Sequence, residues 1–346
     1  MEENPSSQLI SVIITLYNKT AYIERALRSV LNQTYQDFEI VVVDDGSTDG
    51  GGDIVSRLPD PRIRLVRQRN AGAGTARNRG IRESRGEWIA MLDGDDEWRP
   101  GFLRAVAELF MKFPQAGICA TGYRTVFKRS LSVDTTLSHQ QDPRLIVRDY
   151  FVKARVASIV CASSQAIPRR VYDEVGTFVE GEPMCEDLDM WGRIALKYPV
   201  AYDCRVLSVC HAEAAERSSS RFTKEPTFPP FVRSAQLAIR AGQIDKTILP
   251  SLQGYLNRVL MDYLARVVGS GDRTELRRTL QDEFFPTRSL HKPPGILRRA
   301  SLLLPGPLAS FVQRALSSRA GYLLRPVRSD EGVVRRASWA RLNKAS

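Results

Sequence analysis

The chain of 346 residues is long enough for one large catalytic domain with an appended region, or for two modest domains, and its 43% hydrophobic and 26% charged residues suit a globular protein. Five cysteines with no CxxC pair indicate neither a disulfide framework nor a cysteine zinc site, and no apolar run approaches the ~18 residues of a membrane-spanning helix. The formal charge of +11 is unevenly spread, because residues 1–223 carry 29 Lys and Arg against 30 Asp and Glu, whereas residues 224–346 carry 21 against 9.

The opening MEENPSSQ has no basic segment followed by an apolar one, so a cytoplasmic chain with buried free thiols is expected. Ile10 to Leu16 (ISVIITL) is a continuous β-branched run, the signature of a strand covered on both faces. Ile23, Ala26, Leu27, Val30 and Leu31 then fall at helical spacing and make one apolar stripe. Glu39 to Val43 is a second buried strand that runs into DDGSTDGGGD, completing a βαβ unit. The pattern repeats with a short helix around Asp53 to Leu58, a strand at Ile63 to Val66, a helix from Thr75 to Ser84 and a strand at Glu87 to Leu92. Four apolar strands separated by helices predict an α/β fold with an open, mostly parallel, doubly wound sheet and helices on both faces.

A helix follows at Pro100 to Phe113, residues 117–183 mix short strands and turns, and a helix from Glu186 to Tyr198 precedes a strand at Val200 to Val209. SerSerSerArg at 218–221 and Pro226, Pro229 and Pro230 mark a boundary. The expected division is a catalytic domain over 1–222, with a nucleotide-binding part over 9–115 and an acceptor part over 116–222. A basic, mainly helical C-terminal extension occupies 223–346. In that extension Leu308, Phe311, Val312, Ala315 and Leu316 form an apolar stripe among Arg298, Arg299, Arg314, Arg319, Arg325, Arg328, Arg335 and Arg336. Two readings of it stand: in-plane attachment to an anionic membrane surface, or packing on the catalytic domain with solvated arginines.

In open sheets of this kind ligands bind beyond the carboxyl ends of the strands. Thr15 to Asn18, Asp44 to Asp49 and Asp93 to Asp96 all lie there. Asp93, Asp95 and Asp96 repel one another unless a cation sits among them, and a Mg²⁺ or Mn²⁺ ion keeping one or two protein ligands completes its shell with water and phosphate oxygens. An acidic turn is the competing reading. A calcium loop is excluded, since Trp98 and Arg104 stand where Gly and Glu are required. Asp45 can accept a nucleobase N–H, or Asp44 and Asp45 can form a capped polar turn. Arg77, in the glycine-rich NAGAGTARNRG, has the geometry for bidentate phosphate binding. Glu186 and Asp187 start a helix, a rigid place from which to aim a carboxylate, or merely a favourable dipole contact. His211 is open between a metal or phosphate ligand and a satisfied structural histidine, and Glu97 reads as a surface residue.

Taken together, TLYNK (15–19), SVLNQTY (29–35), VVVDDGSTD (41–49), NAGAGTARNRG (70–80), LDGDDEW (92–98) and CEDLDMWGRI (185–194) resemble the family-2 glycosyltransferases of the GT-A fold, bacterial inverting enzymes that use nucleotide-diphospho-sugars. The likeness spans about residues 9–211. It implies that Thr15, Tyr17 and Asp45 hold the nucleobase, Arg77 and Asn78 line the diphosphate, Asp93 and Asp95 approach ribose and sugar, and Asp96 ligates Mg²⁺ or Mn²⁺. It makes Asp187, beside Glu186, the catalytic base, supported by Trp191 and Arg193. Thr15 departs from the proline of many members.

The expected partners are a nucleotide-sugar donor and a glycan or lipid-linked acceptor, with no nucleic acid. UDP is the preferred nucleotide, because uracil presents an N3–H to Asp45. The rival readings are a nucleotidyltransferase acting on sugar phosphates and a nucleotide- or nucleic-acid-binding protein. The first lacks the glycine-rich basic loop it would carry near the first strand, and the second lacks any recognisable nucleic-acid motif.

Overall fold

The computed structural model describes residues 8–127, 131–138, 142–214, 227–270, 275 and 333–339. The stripe at Leu308 to Leu316 and its arginines up to Arg328 lie outside them, as do the serines of the boundary at 218–221.

The first third folds as the apolar pattern dictates. Strands β1 (Ile10–Leu16), β2 (Phe38–Asp44), β3 (Ile63–Arg67) and β4 (Trp88–Asp93) lie parallel in the order β3-β2-β1-β4. Helices α1 (Ile23–Leu31), α2 (Gly51–Ser56), α3 (Ala73–Glu83) and α4 (Phe102–Lys112) join or follow them. Alternate residues of β1 serve opposite layers: Ile10, Val12, Ile14 and Leu16 pack with α1 and α4, and Ile13 packs on the other face with Ile81 of α3. Helix α3 approaches β1 closely because residue 80 is glycine; a Cβ there would lie 2.4 Å from Ile13 Cγ2.

The rest of the sheet is mixed. It contains β5 (Glu97–Trp98), β6 (Ile118–Val126), β7 (Leu131–Leu137), β8 (Arg144–Val147), β9 (Gln165–Pro168), β10 (Val200–His211) and β11 (Val333–Trp339). β9 runs antiparallel to both β4 and β6, so it couples the parallel half to the mixed half, and β10 runs parallel to β6 but antiparallel to β5 and β8. The expectation of a mostly parallel sheet holds for β3-β2-β1-β4, and the antiparallel β9 joins this block to strands paired largely across long stretches of sequence.

Helices α5 (Tyr150–Ala154), α6 (Arg169–Val175) and α7 (Glu186–Ala195) cover the mixed half. The C-terminal helices α8 (Pro230–Arg240) and α9 (Leu249–Ser270) pack on the same core, through Phe231, Val232, Leu252, Tyr255, Leu260 and Tyr263. Gly192 of α7 admits this, since a Cβ there would meet the Phe231 ring at 2.3 Å. Part of the C-terminal extension is thus built into the body, and Arg335 and Arg336 lie on β11, paired in register with Thr135 and Asp134 of β7. Among the described residues no helix is long and apolar enough to cross a membrane.

Candidate active site

Parallel pairing places three loops side by side, because Leu16 is the register partner of Asp44 and Thr15 that of Asp93. Beyond β1, Asn18 adopts a left-handed backbone (φ 50°). Its amide donates to Ser47 Oγ at 3.1 Å, and its Oδ1 accepts from the Thr48 amide at 2.9 Å, pinning the first loop to the second. Tyr17, 39% exposed, projects from this junction. Asp44 Oδ1 accepts from the Ser47 amide and shapes the turn. Asp45 holds the third loop: Oδ1 accepts from Gln68 Nε2 (2.7 Å) and the Ala71 amide (2.9 Å), and Oδ2 from the Gly72 amide (2.9 Å).

The carboxylates after β4 are individually anchored. Asp93 Oδ1 accepts from Thr15 Oγ1 at 3.2 Å and from Arg77 Nη2 at 3.1 Å. Asp95 pairs with Lys19 Nζ at 2.9 Å, and its carbonyl accepts from Arg25 Nη2. Asp96 is 2% exposed. Its Oδ2 accepts from Ser163 Oγ at 2.6 Å and its Oδ1 from the His211 amide at 2.9 Å, so β10 and the 3-10 turn Ala162–Ser164 converge on it. The ring of His211 lies between two glutamates, with Nδ1 2.7 Å from Glu213 Oε1 and Nε2 3.0 Å from Glu97 Oε1. Glu97 is therefore a contact of the site, not the bare surface residue expected of it.

Helix α7 brings the opposite wall. Cys185, the residue before it, sits at φ 68°, and backbone held in this sparsely populated region collects at functional sites. Glu186 Oε1 accepts from Arg77 Nη1 at 2.5 Å. Asp187 is half-buried, and the hydrogen bond its carboxylate accepts comes from the Leu188 amide of its own helix, at 2.7 Å.

Charge separates these groups. Burial of Arg77 works against its proton, but Asp93, Glu186 and Asp187 overcome this and hold the guanidinium firmly charged. Burial raises the Asp187 carboxyl and Glu186 raises it further, against the opposing pull of Arg77 and the Leu188 amide, so that it is pushed up to about 6. Arg77 thus touches Asp93 and Glu186 directly, while Asp187 is the carboxyl that is raised. Tyr150 of α5 and Tyr255 of α9 lie within reach of the Asp187 charge, which together with burial raises both phenols.

Two expected roles change. Asn78 does not face a diphosphate: Nδ2 donates to the Phe178 carbonyl and to Glu180 Oε1, and Oδ1 accepts from the Phe178 amide, which uses both donors on the segment before α7. Arg77 is buried, and both its terminal nitrogens donate to carboxylates, so it is a countercharge between walls instead of a phosphate clamp. Trp191 is fully buried, edge-on to Phe178 (ring centroids 6.0 Å apart), and Arg193 donates to Asp189, Val175 and Thr177, so both support α7 from behind. Ser163, Lys19 and Gln68 join the site beyond the residues expected from the sequence. Lys19 stands within the TLYNK motif, whereas nothing in the sequence around Ser163 marks it.

Among the described residues no three His, Cys, Asp or Glu side chains form a closed metal cage. Hard divalent cations, however, often keep one or two protein oxygens and take the rest from water and phosphate. Both Asp96 oxygens accept a hydrogen bond, from Ser163 and from the His211 amide. The carboxylates of Asp93, Asp95, Asp96, Glu97, Glu186, Asp187 and Glu213 stand here against Lys19, Arg25 and Arg77. The site suits an open cation position completed by a diphosphate. A cavity of about 910 Å³ lies elsewhere, at the amino ends of the parallel strands beside Asp37, Trp88 and Phe110, and includes none of these residues.

Residues 11–176 match glycosyl transferase family 2. The chain spans about a third of the length of the first curated relatives it matches, which are called uncharacterized glycosyltransferases. It is 46% identical over 100 residues to the succinoglycan biosynthesis protein ExoO of Rhizobium meliloti, covering 29% of each chain. In fold it is similar to S. aureus TarS in complex with UDP-GlcNAc (TM-score 0.57, 18% identity, 94% of this chain and 95% of that one). It is also similar to the mannosyltransferase PcManGT from Pyrobaculum calidifontis in complex with GDP-Man and Mn²⁺ (TM-score 0.51, 22% identity, 90% and 86%). The family match stops short of α7, so Asp187 and His211 lie outside the residues it covers. Residues 11–176 of this chain form a glycosyl transferase family 2 domain with the mixed α/β architecture of the GT-A enzymes.

Proposed function

We propose that the chain is an inverting glycosyltransferase that moves a sugar from a nucleotide-diphospho-sugar, with UDP preferred, to a hydroxyl of a glycan or lipid-linked acceptor in cell-surface polysaccharide biosynthesis. The observation that carries this is the division of labour among the carboxylates. Asp93, Asp95 and Asp96 are anchored at the strand ends, and Asp187 faces them from α7, half-buried, with its carboxyl raised to about 6. The fold of TarS with UDP-GlcNAc and the name of ExoO support the donor class and the pathway.

At neutral pH Asp187 is ionised yet basic, as a general base should be. Its carboxylate takes the acceptor hydroxyl proton, the acceptor oxygen forms a bond to the anomeric carbon, and the bond from that carbon to the diphosphate breaks on the opposite face with its electron pair. Configuration inverts. Asp45 keeps one lone pair on Oδ2 for the uracil N3–H, and exposed Tyr17 offers its ring to the base. Thr15, through Asp93, fixes the carboxylate nearest β1 on the ribose and sugar side, and Lys19 orients Asp95 there. Asp96, with His211 beside it, would hold a Mg²⁺ or Mn²⁺ ion, which supplies charge neutralisation for the leaving diphosphate. The basic residues of 224–346 support an anionic partner at that end, a membrane surface or a phosphate of the acceptor. Action on the cytoplasmic face of a membrane fits the free thiols.

The test is calorimetry with UDP and UDP-GlcNAc, with and without Mn²⁺, followed by NMR of the anomeric configuration of any product. Metal-dependent binding and an inverted product are expected. Retention of configuration, or binding of nucleoside triphosphates alone, would contradict the reading.

A further inference from the structure

Two thiols meet beside the chain segments that hold Asp96. Cys161 Sγ and Cys210 Sγ are 3.3 Å apart although 49 residues separate them in the chain. Each is close in sequence to one of the two groups that hold Asp96. Cys161 opens the turn that carries Ser163, whose hydroxyl donates to Asp96 Oδ2, and Cys210 precedes His211, whose amide donates to Asp96 Oδ1. The turn is stiff: the Cys161 amide donates to Ser164 Oγ at 2.9 Å, the Ser164 amide returns to the Cys161 carbonyl at 3.0 Å, and the Ser163 carbonyl accepts from Trp98 Nε1 and Ser208 Oγ. Cys210 belongs to β10, paired there with Thr125 of β6. Neither sulfur has a soft mount, so a movement of one is passed to its neighbours.

We propose that Cys161 and Cys210 form an oxidisable thiol pair whose disulfide displaces the Ser163 and His211 donors and so disarms Asp96. A disulfide requires ~2.05 Å between the sulfurs, so the pair must close by about 1.3 Å. That movement is large against hydrogen bonds of 2.6 and 2.9 Å. Cys161 is half-buried and Cys210 buried, which makes Cys161 the thiol that a peroxide meets first. Its sulfur gives two electrons to the peroxide O–O bond, which breaks, leaving a sulfenic acid and one water. The Cys210 sulfur then attacks the Cys161 sulfur, the S–S bond forms, the S–O bond breaks, and the departing hydroxide takes the Cys210 proton as a second water. A dithiol reverses the reaction by exchange. Cys119, Cys185 and Cys204 are buried, and no sulfur contact of this kind joins them among the described residues.

Formation of the bond and its displacement of the Asp96 donors do not depend on the enzymatic role; only the consequence for donor binding rests on the function proposed above. The experiment treats the full chain with hydrogen peroxide and reads three quantities: the cross-linked peptide by mass, amide exchange over 208–211, and the affinity for UDP with Mn²⁺. The expected result is a Cys161–Cys210 cross-link reversed by dithiothreitol, faster exchange at the His211 amide, and UDP affinity weakened ~10–100-fold, the range typical for disturbing a metal ligand's outer partners. Cys161→Ser and Cys210→Ser each abolish the cross-link and the exchange change. Thiols that remain separately alkylatable after peroxide, or a cross-link that leaves the His211 amide exchange unchanged, would overturn the proposal. If the reduced protein binds no nucleotide while the cross-link still loosens the His211 amide, the functional reading fails and the switch survives.

Discussion

The two halves of the sheet handle charge in opposite ways. In the parallel half every carboxylate at a strand end is tied down: Asp44 and Asp45 by loop amides, Asp93 by Thr15 and Arg77, Asp95 by Lys19, Asp96 by Ser163 and His211. In the mixed half Asp187 accepts a hydrogen bond from its own helix and has its carboxyl raised by burial and Glu186. In the function proposed above, the first arrangement holds the donor and the second supplies the base. A carboxylate that has to take a proton must not be stabilised as an anion by strong partners, and α7 meets that requirement by giving Arg77 to Glu186 instead.

Loss of the Asp187 carboxylate separates the two halves best. Asp187→Asn should lower turnover ~10²–10⁴-fold, the range of general-base catalysis, while calorimetry finds UDP affinity little changed. Because the folded-state carboxyl is raised above its ordinary value of 3.8, the folded state binds more protons than the unfolded one between 3.8 and about 6, and stability falls as pH rises through that window. Asp187→Asn should therefore raise the melting temperature at pH 8 more than at pH 4.

On the donor side, Asp96→Ala should abolish the metal dependence of UDP binding. It also leaves the buried Ser163 hydroxyl and His211 amide without their acceptor, at about 1–3 kcal/mol each, measurable by urea denaturation. The join between the halves is probed by Gly192→Ala, which forces a methyl into the Phe231 ring and should cost ~1–3 kcal/mol by overpacking. An unchanged midpoint would show that α8 is not integral to the support of α7.

The parallel half is legible in the sequence because its information is local. Continuous apolar runs make β1, β2 and β4, and the stripe at Ile23 to Leu31 makes α1. Loops after such strands must converge, so the strand pattern alone brings Thr15, Asp45 and Asp93 together. The mixed half rests on distant pairings that carry no local pattern: β8 on β10, β11 on β7, Arg77 on Glu186 across 109 residues. The different roles of Arg77 and Asn78 have that origin, since a basic side chain at a helix start looks the same whether its partner is a phosphate or a carboxylate folded in from elsewhere. Ser163 is invisible in the sequence for the same reason.

Asp187 is proposed as the base, with its environment setting its basicity. This role is tested most directly by the pH dependence of kcat/KM for the acceptor. A rise with pH through a single limb at about 6, as Asp187 loses its proton, then a plateau, is expected, with the limb absent from the residual activity of Asp187→Asn. A profile flat across that region in the wild type, or a limb that persists in the variant, would contradict it.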